Sequence, residues 1–123
     1  MKHGLILFAH GARDPRWAEP FEAIATAVRL RAPDVDVRLA FLELMAPDLP
    51  TVAGALVAAG CTRIDILPLF LGTGGHLRRD LPPLVDDVKA NHPAVTVSLH
   101  AAAGEAPELI AAMANHAVSL TTL

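Results

Sequence analysis

The 123-residue sequence predicts an α/β fold: a four-stranded parallel sheet in the spatial order 2-1-3-4, with helices on both faces. Three observations carry that expectation. Four short apolar segments alternate strictly with four helix-periodic ones, and such alternation implies parallel strands joined by right-handed crossovers. Two of the apolar segments, Leu5-Ile6-Leu7-Phe8 and Ile64 through Leu71, are close to continuously apolar, as central strands buried on both faces are. The other two alternate, Val35, Val37, Leu39 and Phe41 with Asp36, Arg38 and Ala40, and Val95, Val97 and Leu99 with Thr96, Ser98 and His100, as edge strands do.

The first strand is expected over Gly4 to Ala9, and the first helix over about Ala18 to Arg31, where Phe21, Ile24, Ala25 and Val28 fall at i, i+3, i+4 and i+7. Val35 to Leu42 forms the second strand. The second helix, about Pro50 to Ala59, opens on a proline and stops at Gly60. Arg63 to Leu71 forms the third strand. In the third helix Asp80 is expected as the cap, Pro82 and Pro83 in the first turn, and Leu81, Leu84, Val85 and Val88 as the buried stripe, before Asn91 and Pro93 end it. A fourth strand, Val95 to His100, and a fourth helix, about Pro107 to Leu120, complete the chain. No repeat, low-complexity tract or linker interrupts it, so one domain over residues 1–123 is expected.

Hydrophobic residues make up 53% of the sequence, aromatics only 4%, and the mean hydropathy of +0.42 excludes a disordered chain. That apolar share exceeds what one small soluble domain hides, which predicts a self-association surface. Ten Lys+Arg stand against thirteen Asp+Glu, and the net charge of −3 excludes the basic field of a nucleic-acid or anionic-membrane binder. The apolar run after Lys2 is too short for a secretory signal, and no stretch approaches the roughly twenty apolar residues of a membrane span. A cytoplasmic location is expected, with the lone Cys61 a small buried hydrophobe.

The order 2-1-3-4 places a topological switch point at the carboxyl ends of strands one and three, where open parallel sheets bind ligands. After strand one comes Ala9-His10-Gly11-Ala12-Arg13-Asp14-Pro15-Arg16, and after strand three Gly72-Thr73-Gly74-Gly75-His76-Leu77-Arg78-Arg79. Strand two ends at Glu43, a carboxylate flanked by Leu42 and Leu44, which is costly unless paired or coordinating. His10, His76 and Glu43 suit a divalent first-row metal with positions left open for a substrate. The glycines around Thr73 lack the Lys-Ser/Thr of a phosphate loop and fit close approach of backbone to a flat ligand. Arg13, Arg16, Arg78 and Arg79 are either solvated charges or a rim that holds the carboxylates of an acidic small molecule. His3, His92 and His116 read as structural or surface residues, and His100, at the end of strand four, keeps a place at the rim.

Three segments resemble one known family: His10-Gly11-Ala12-Arg13-Asp14-Pro15, Leu42-Glu43-Leu44-Met45-Ala46-Pro47-Asp48-Leu49-Pro50, and Pro68 through Pro82 with Gly72-Thr73-Gly74-Gly75-His76 at its centre. They are similar to the signatures of class II chelatases of the CbiX and SirB type, which insert a divalent metal into sirohydrochlorin for cobalamin or sirohaem. The resemblance implies a flavodoxin-like, three-layer chelatase fold and a sirohydrochlorin metal chelatase acting on Co²⁺ foremost, or Fe²⁺ or Ni²⁺. It implies His10 and His76 as metal-binding and catalytic histidines and Glu43 as their assisting carboxylate. Arg13, Arg16, Thr73, Gly74, Gly75, Arg78 and Arg79 would contact the tetrapyrrole. No cofactor beyond the substrate metal is expected. Because longer members carry two halves in one chain, a short member is expected to pair as a homodimer.

The sequence departs from the family at Ala12, where many members have Ser, and at Ala103-Gly104-Glu105-Ala106-Pro107, which lacks a histidine many members carry there. Metal insertion removes two pyrrole protons, strips water from the metal and bends the macrocycle; neutral imidazoles are needed, so activity should fall as pH drops through the histidine range near about 6.5. A carrier that binds metal or tetrapyrrole without turnover is the alternative. Phosphoryl transfer through His10 is disfavoured, because such histidines follow an arginine and position nine is Ala9.

Overall fold

The structure, a computed structural model, describes residues 2–72 and 74–121, apart from the side chain of His76. Strands β1 (Lys2–Ala9), β2 (Val35–Phe41), β3 (Cys61–Pro68) and β4 (Thr96–Leu99) alternate with helices α1 (Glu19–Arg31), α2 (Leu49–Ala58), α3 (Gly75–Asn91) and α4 (Pro107–Ser119). Short 3-10 turns, Pro15–Ala18 and Ala103–Glu105, precede α1 and α4. All strands pair in parallel in the order β2-β1-β3-β4, with Leu5 opposite both Val37 and Asp65.

Most element ends lie within two residues of the sequence expectation. β3 stops earlier: after Leu69 donates to the Phe8 carbonyl (2.8 Å), β1 turns away and leaves nothing to pair with. The larger correction concerns α3. It starts at Gly75 with Gly74 as its cap, so Asp80, Pro82 and Pro83 are interior residues. The apolar stripe reaches back from Leu81 to Leu77 and draws the helix with it. Both prolines are exposed, so the carbonyls of Arg78 and Arg79, which they leave without helical donors, can face water. α2 is capped by Asp48, whose side chain accepts from the Thr51 amide at 3.0 Å.

The two faces of the sheet differ. On the face under α2 and α3, Ile6, Phe8, Leu56, Ile64 and Ile66 are no more than 1% exposed, with Leu81, Val85 and Val88 packed over them. On the other face α1 buries Ala25 against Leu7 and Val37, while Ile24, expected in its buried stripe, lies at the margin and is largely exposed. Beyond the reach of α1, Leu5, Leu67 and Leu69 are only partly buried, and α4 contains no buried residue.

Candidate active site

His10 is the first residue after β1, and Glu43 follows the end of β2 by two residues. The main chain holds them side by side: the Leu42 amide donates to the Ala9 carbonyl at 2.9 Å and the Glu43 amide to the His10 carbonyl at 3.0 Å, carrying the β1–β2 ladder past both strands. Gly11, at φ +97°, lies so close that a Cβ there would overlap the Glu43 carbonyl oxygen. Leu44 sits in the left-handed region at φ 65°, which disfavours a residue with a Cβ by about 1–2 kcal/mol. The turn after Glu43 is therefore held in a strained form.

The side chains of His10 and Glu43 are 47% and 55% exposed, with His10 Nε2 3.3 Å from Glu43 Oε1. His10 Nδ1 lies 3.1 Å from the Gly11 carbonyl oxygen. A carbonyl oxygen can only accept, so Nδ1 carries the proton, and in neutral imidazole the lone pair is on Nε2. That lone pair and a carboxylate oxygen then face each other. The arrangement is favourable only with a cation between them or a proton on the ring. Metal-ligating histidines are commonly fixed in this way, with the other ring nitrogen donating to a backbone carbonyl.

His76, the third expected ligand, is the second residue of α3, and its side chain lies outside the described part, as does Thr73. Among the described residues no group of three His, Cys, Asp or Glu side chains is arranged to hold a metal ion. Gly72, Gly74 and Gly75 would meet nothing within 4 Å if given a Cβ, so nothing in the chain's own packing requires glycine there. Arg13 is exposed and has no hydrogen bond or ion pair among the described residues. Arg16 grips Asp14 with two nitrogens (3.3 and 3.0 Å), and that hydrogen bond, with the one from the Arg16 backbone amide, holds the Asp14 carboxyl below its ordinary range. Arg79 Nε donates to the Gly75 carbonyl at 3.3 Å, and Arg78 lies 3.9 Å from Glu105 beside a cavity of about 150 Å³ lined also by Leu77, Leu81 and Leu99.

His100, a rim residue by sequence, is half-exposed and directs its ring toward Asp65 of the neighbouring strand. Its Nε2 lies 2.7 Å from Asp65 Oδ1, His3 Nε2 lies 2.5 Å from Oδ2, and Arg63 Nε lies 3.2 Å from Oδ2. Burial pushes the Asp65 carboxyl up, but the hydrogen bonds from His100 and His3, with the Arg63 charge, outweigh it and hold the group below its ordinary value. The signal for this cluster was Asp65 itself, a charge in the middle of an otherwise apolar strand, which needs partners to be there at all.

The family model for CbiX matches residues 4–120. The sirohydrochlorin cobaltochelatase of Methanococcoides burtonii is 33% identical over 78% of this chain and 74% of its own length. That of Methanothermobacter thermautotrophicus is 33% identical over 68% of this chain, but the match spans only 58% of that protein. The sirohydrochlorin ferrochelatase of Bacillus subtilis is 27% identical over 92% of this chain, which spans 43% of it. Among solved structures, the cobalamin biosynthesis CbiX protein of Marinobacter aquaeolei superposes with a TM-score of 0.86 at 33% identity over 97% of each chain. Bacillus subtilis SirB in complex with cobalt superposes at 0.73 and 26% identity, over 80% of this chain and 42% of SirB. With a matching family model across almost its whole length, the chain belongs to the CbiX family.

Proposed function

We propose that this protein is a sirohydrochlorin metal chelatase, inserting Co²⁺, or Fe²⁺ or Ni²⁺, into the free-base macrocycle. The observation that carries the reading is the His10 Nε2 lone pair facing the Glu43 carboxylate across 3.3 Å, on the rim where the topology switches. Relatives named cobaltochelatases and ferrochelatases, and a SirB structure holding cobalt, support it.

In this reading M²⁺ is a substrate. His10 and Glu43 take it from water, and His76, at the start of α3, approaches the same rim from β3. The metal then passes to the four macrocycle nitrogens as two pyrrole N–H bonds break, and the two protons leave through Glu43 and an imidazole freed of metal. The open backbone at Gly74 and Gly75, with Thr73 between Gly72 and Gly74, lets a flat ring lie close. Arg13 is placed to hold a ring carboxylate, whereas Arg16, Arg78 and Arg79 must first release partners, Asp14, Glu105 and the Gly75 carbonyl among them. The metal is the sole inorganic requirement, the setting cytoplasmic, and the working unit a homodimer.

The test is spectrophotometric insertion of each metal into sirohydrochlorin with protein well below substrate. Multiple turnovers are expected, and His10→Ala combined with His76→Ala should return the rate to that of the uncatalysed reaction. Stoichiometric uptake without turnover would instead identify a carrier.

A further inference from the structure

The 3-10 turn Ala103–Glu105 is fastened to the rim on one side and reaches α3 on the other. The Gly104 amide donates to the Phe70 carbonyl at 2.8 Å, and a Cβ at Gly104 would overlap the Leu71 carbonyl oxygen, so the turn is pressed against the chain that leaves β3. The next residue, Glu105, places Oε1 3.9 Å from Nη2 of Arg78 in the first turn of α3. The two side chains border the cavity of about 150 Å³ that Leu77, Leu81 and Leu99 also line. α3 has no acidic residue in its first turn, while Arg78 and Arg79 fall within its first five residues, where cations oppose the helix dipole. Glu105 supplies from another element the negative charge that these arginines lack on their own.

We propose that Glu105 is a specificity-determining residue that stands in for a carboxylate of the substrate: it pairs with Arg78 at the rim and yields the guanidinium when an acidic arm of the macrocycle arrives. This deepens the chelatase reading above and rests on it for the identity of the substrate. Sirohydrochlorin carries acetate and propionate arms around its ring, each a carboxylate on a short apolar stem. The cavity suits such an arm, with leucine side chains against the methylene groups and Arg78 for the charge.

The exchange is within reach energetically. The side chains of Arg78 and Glu105 are 69% and 44% exposed, and an ion pair so wet and so long favours the paired state by no more than about fivefold. An arm that meets the guanidinium in bidentate contact, its stem covered by leucines, displaces it. Arg16 differs, because its grip on Asp14 at 3.3 and 3.0 Å lies within one segment and leaves no cavity between the partners. Glu105 belongs to a turn that is itself locked, so its charge stays beside the cavity after it lets go and sets a fixed cost on every anion that enters. An amidated arm, without charge, has no comparable hold on Arg78, so the pair discriminates free acids from amides.

The test is equilibrium titration of metal-free sirohydrochlorin, followed by its absorption, against the intact chain and its variants. Glu105→Gln should tighten binding by about two- to fivefold, and the gain should shrink as salt is raised. Arg78→Ala should weaken binding by about three- to tenfold, and in that background Glu105→Gln should lose most of its gain, because the group it competes for is gone. Far-ultraviolet dichroism is expected to match the native chain in all three variants. No tightening in Glu105→Gln, or equal tightening with and without Arg78, overturns the proposal; a merely structural Glu105 gives the first result. A chain that binds with the expected pattern yet never turns over fails as a chelatase while the role of Glu105 stands, and a chain that binds no sirohydrochlorin overturns both.

Discussion

Two clusters in this molecule are built from the same kinds of side chain and behave in opposite ways. Around Asp65, two imidazoles and a guanidinium close on a carboxylate that is 10% exposed, at 2.5, 2.7 and 3.2 Å. At the rim, His10 and Glu43 stand half in water, 3.3 Å apart, with the Nδ1 proton turned to a backbone carbonyl and the lone pair turned to the carboxylate. In the first cluster both carboxylate oxygens have donors, so it ties strands β1, β3 and the end of β4 together. In the second, two acceptors face each other, and a bound cation would complete it. Side-chain type does not separate these two clusters. The direction of the donors does.

The comparison breaks most decisively at His10. His10→Ala is expected to slow metal insertion by roughly 10²–10³-fold while changing stability by less than about 0.5 kcal/mol. Insertion kinetics alongside denaturant unfolding check both halves, and a large stability loss would make the rim pair structural too. Asp65→Ala should do the reverse, lowering stability by about 2 kcal/mol through the donors left without an acceptor. It should appear as a lower urea midpoint at unchanged slope. The smallest effect sharpens the same contrast through acid. The Asp65 carboxyl is held below its ordinary value, so its contribution is complete above about pH 4 and is lost as pH falls through the lowered value. Unfolding followed against pH should show that loss in the native chain and not in Asp65→Ala.

Much of this was legible in the sequence because strand burial leaves a period-two or unbroken apolar signature, and four such segments fix the sheet order. His10 and Glu43 could be placed at one rim because topology alone brings the ends of β1 and β2 together. The start of α3 was not legible: Pro82 and Pro83 mimic a first turn, and only the packing of Leu77 and Leu81 shows that the helix begins before them. Asp65 stood out as a charge in an apolar strand, but its partners did not, because the approach of His100 comes from a side chain one strand away. The exposure of α4 was legible only as an excess of apolar residues with no location, since a helix has the same pattern whether its apolar side is covered or not.

The backbone hydrogen bonds that join the His10 and Glu43 loops have one more consequence, for sequence drift. The relative position of the imidazole and the carboxylate is set by main-chain groups that every residue but proline possesses, with Gly11 as a close-approach constraint between them. About two thirds of the residues differ from those of the Marinobacter protein while the chain path stays the same. A pair anchored in this way can keep its geometry while the side chains around it change.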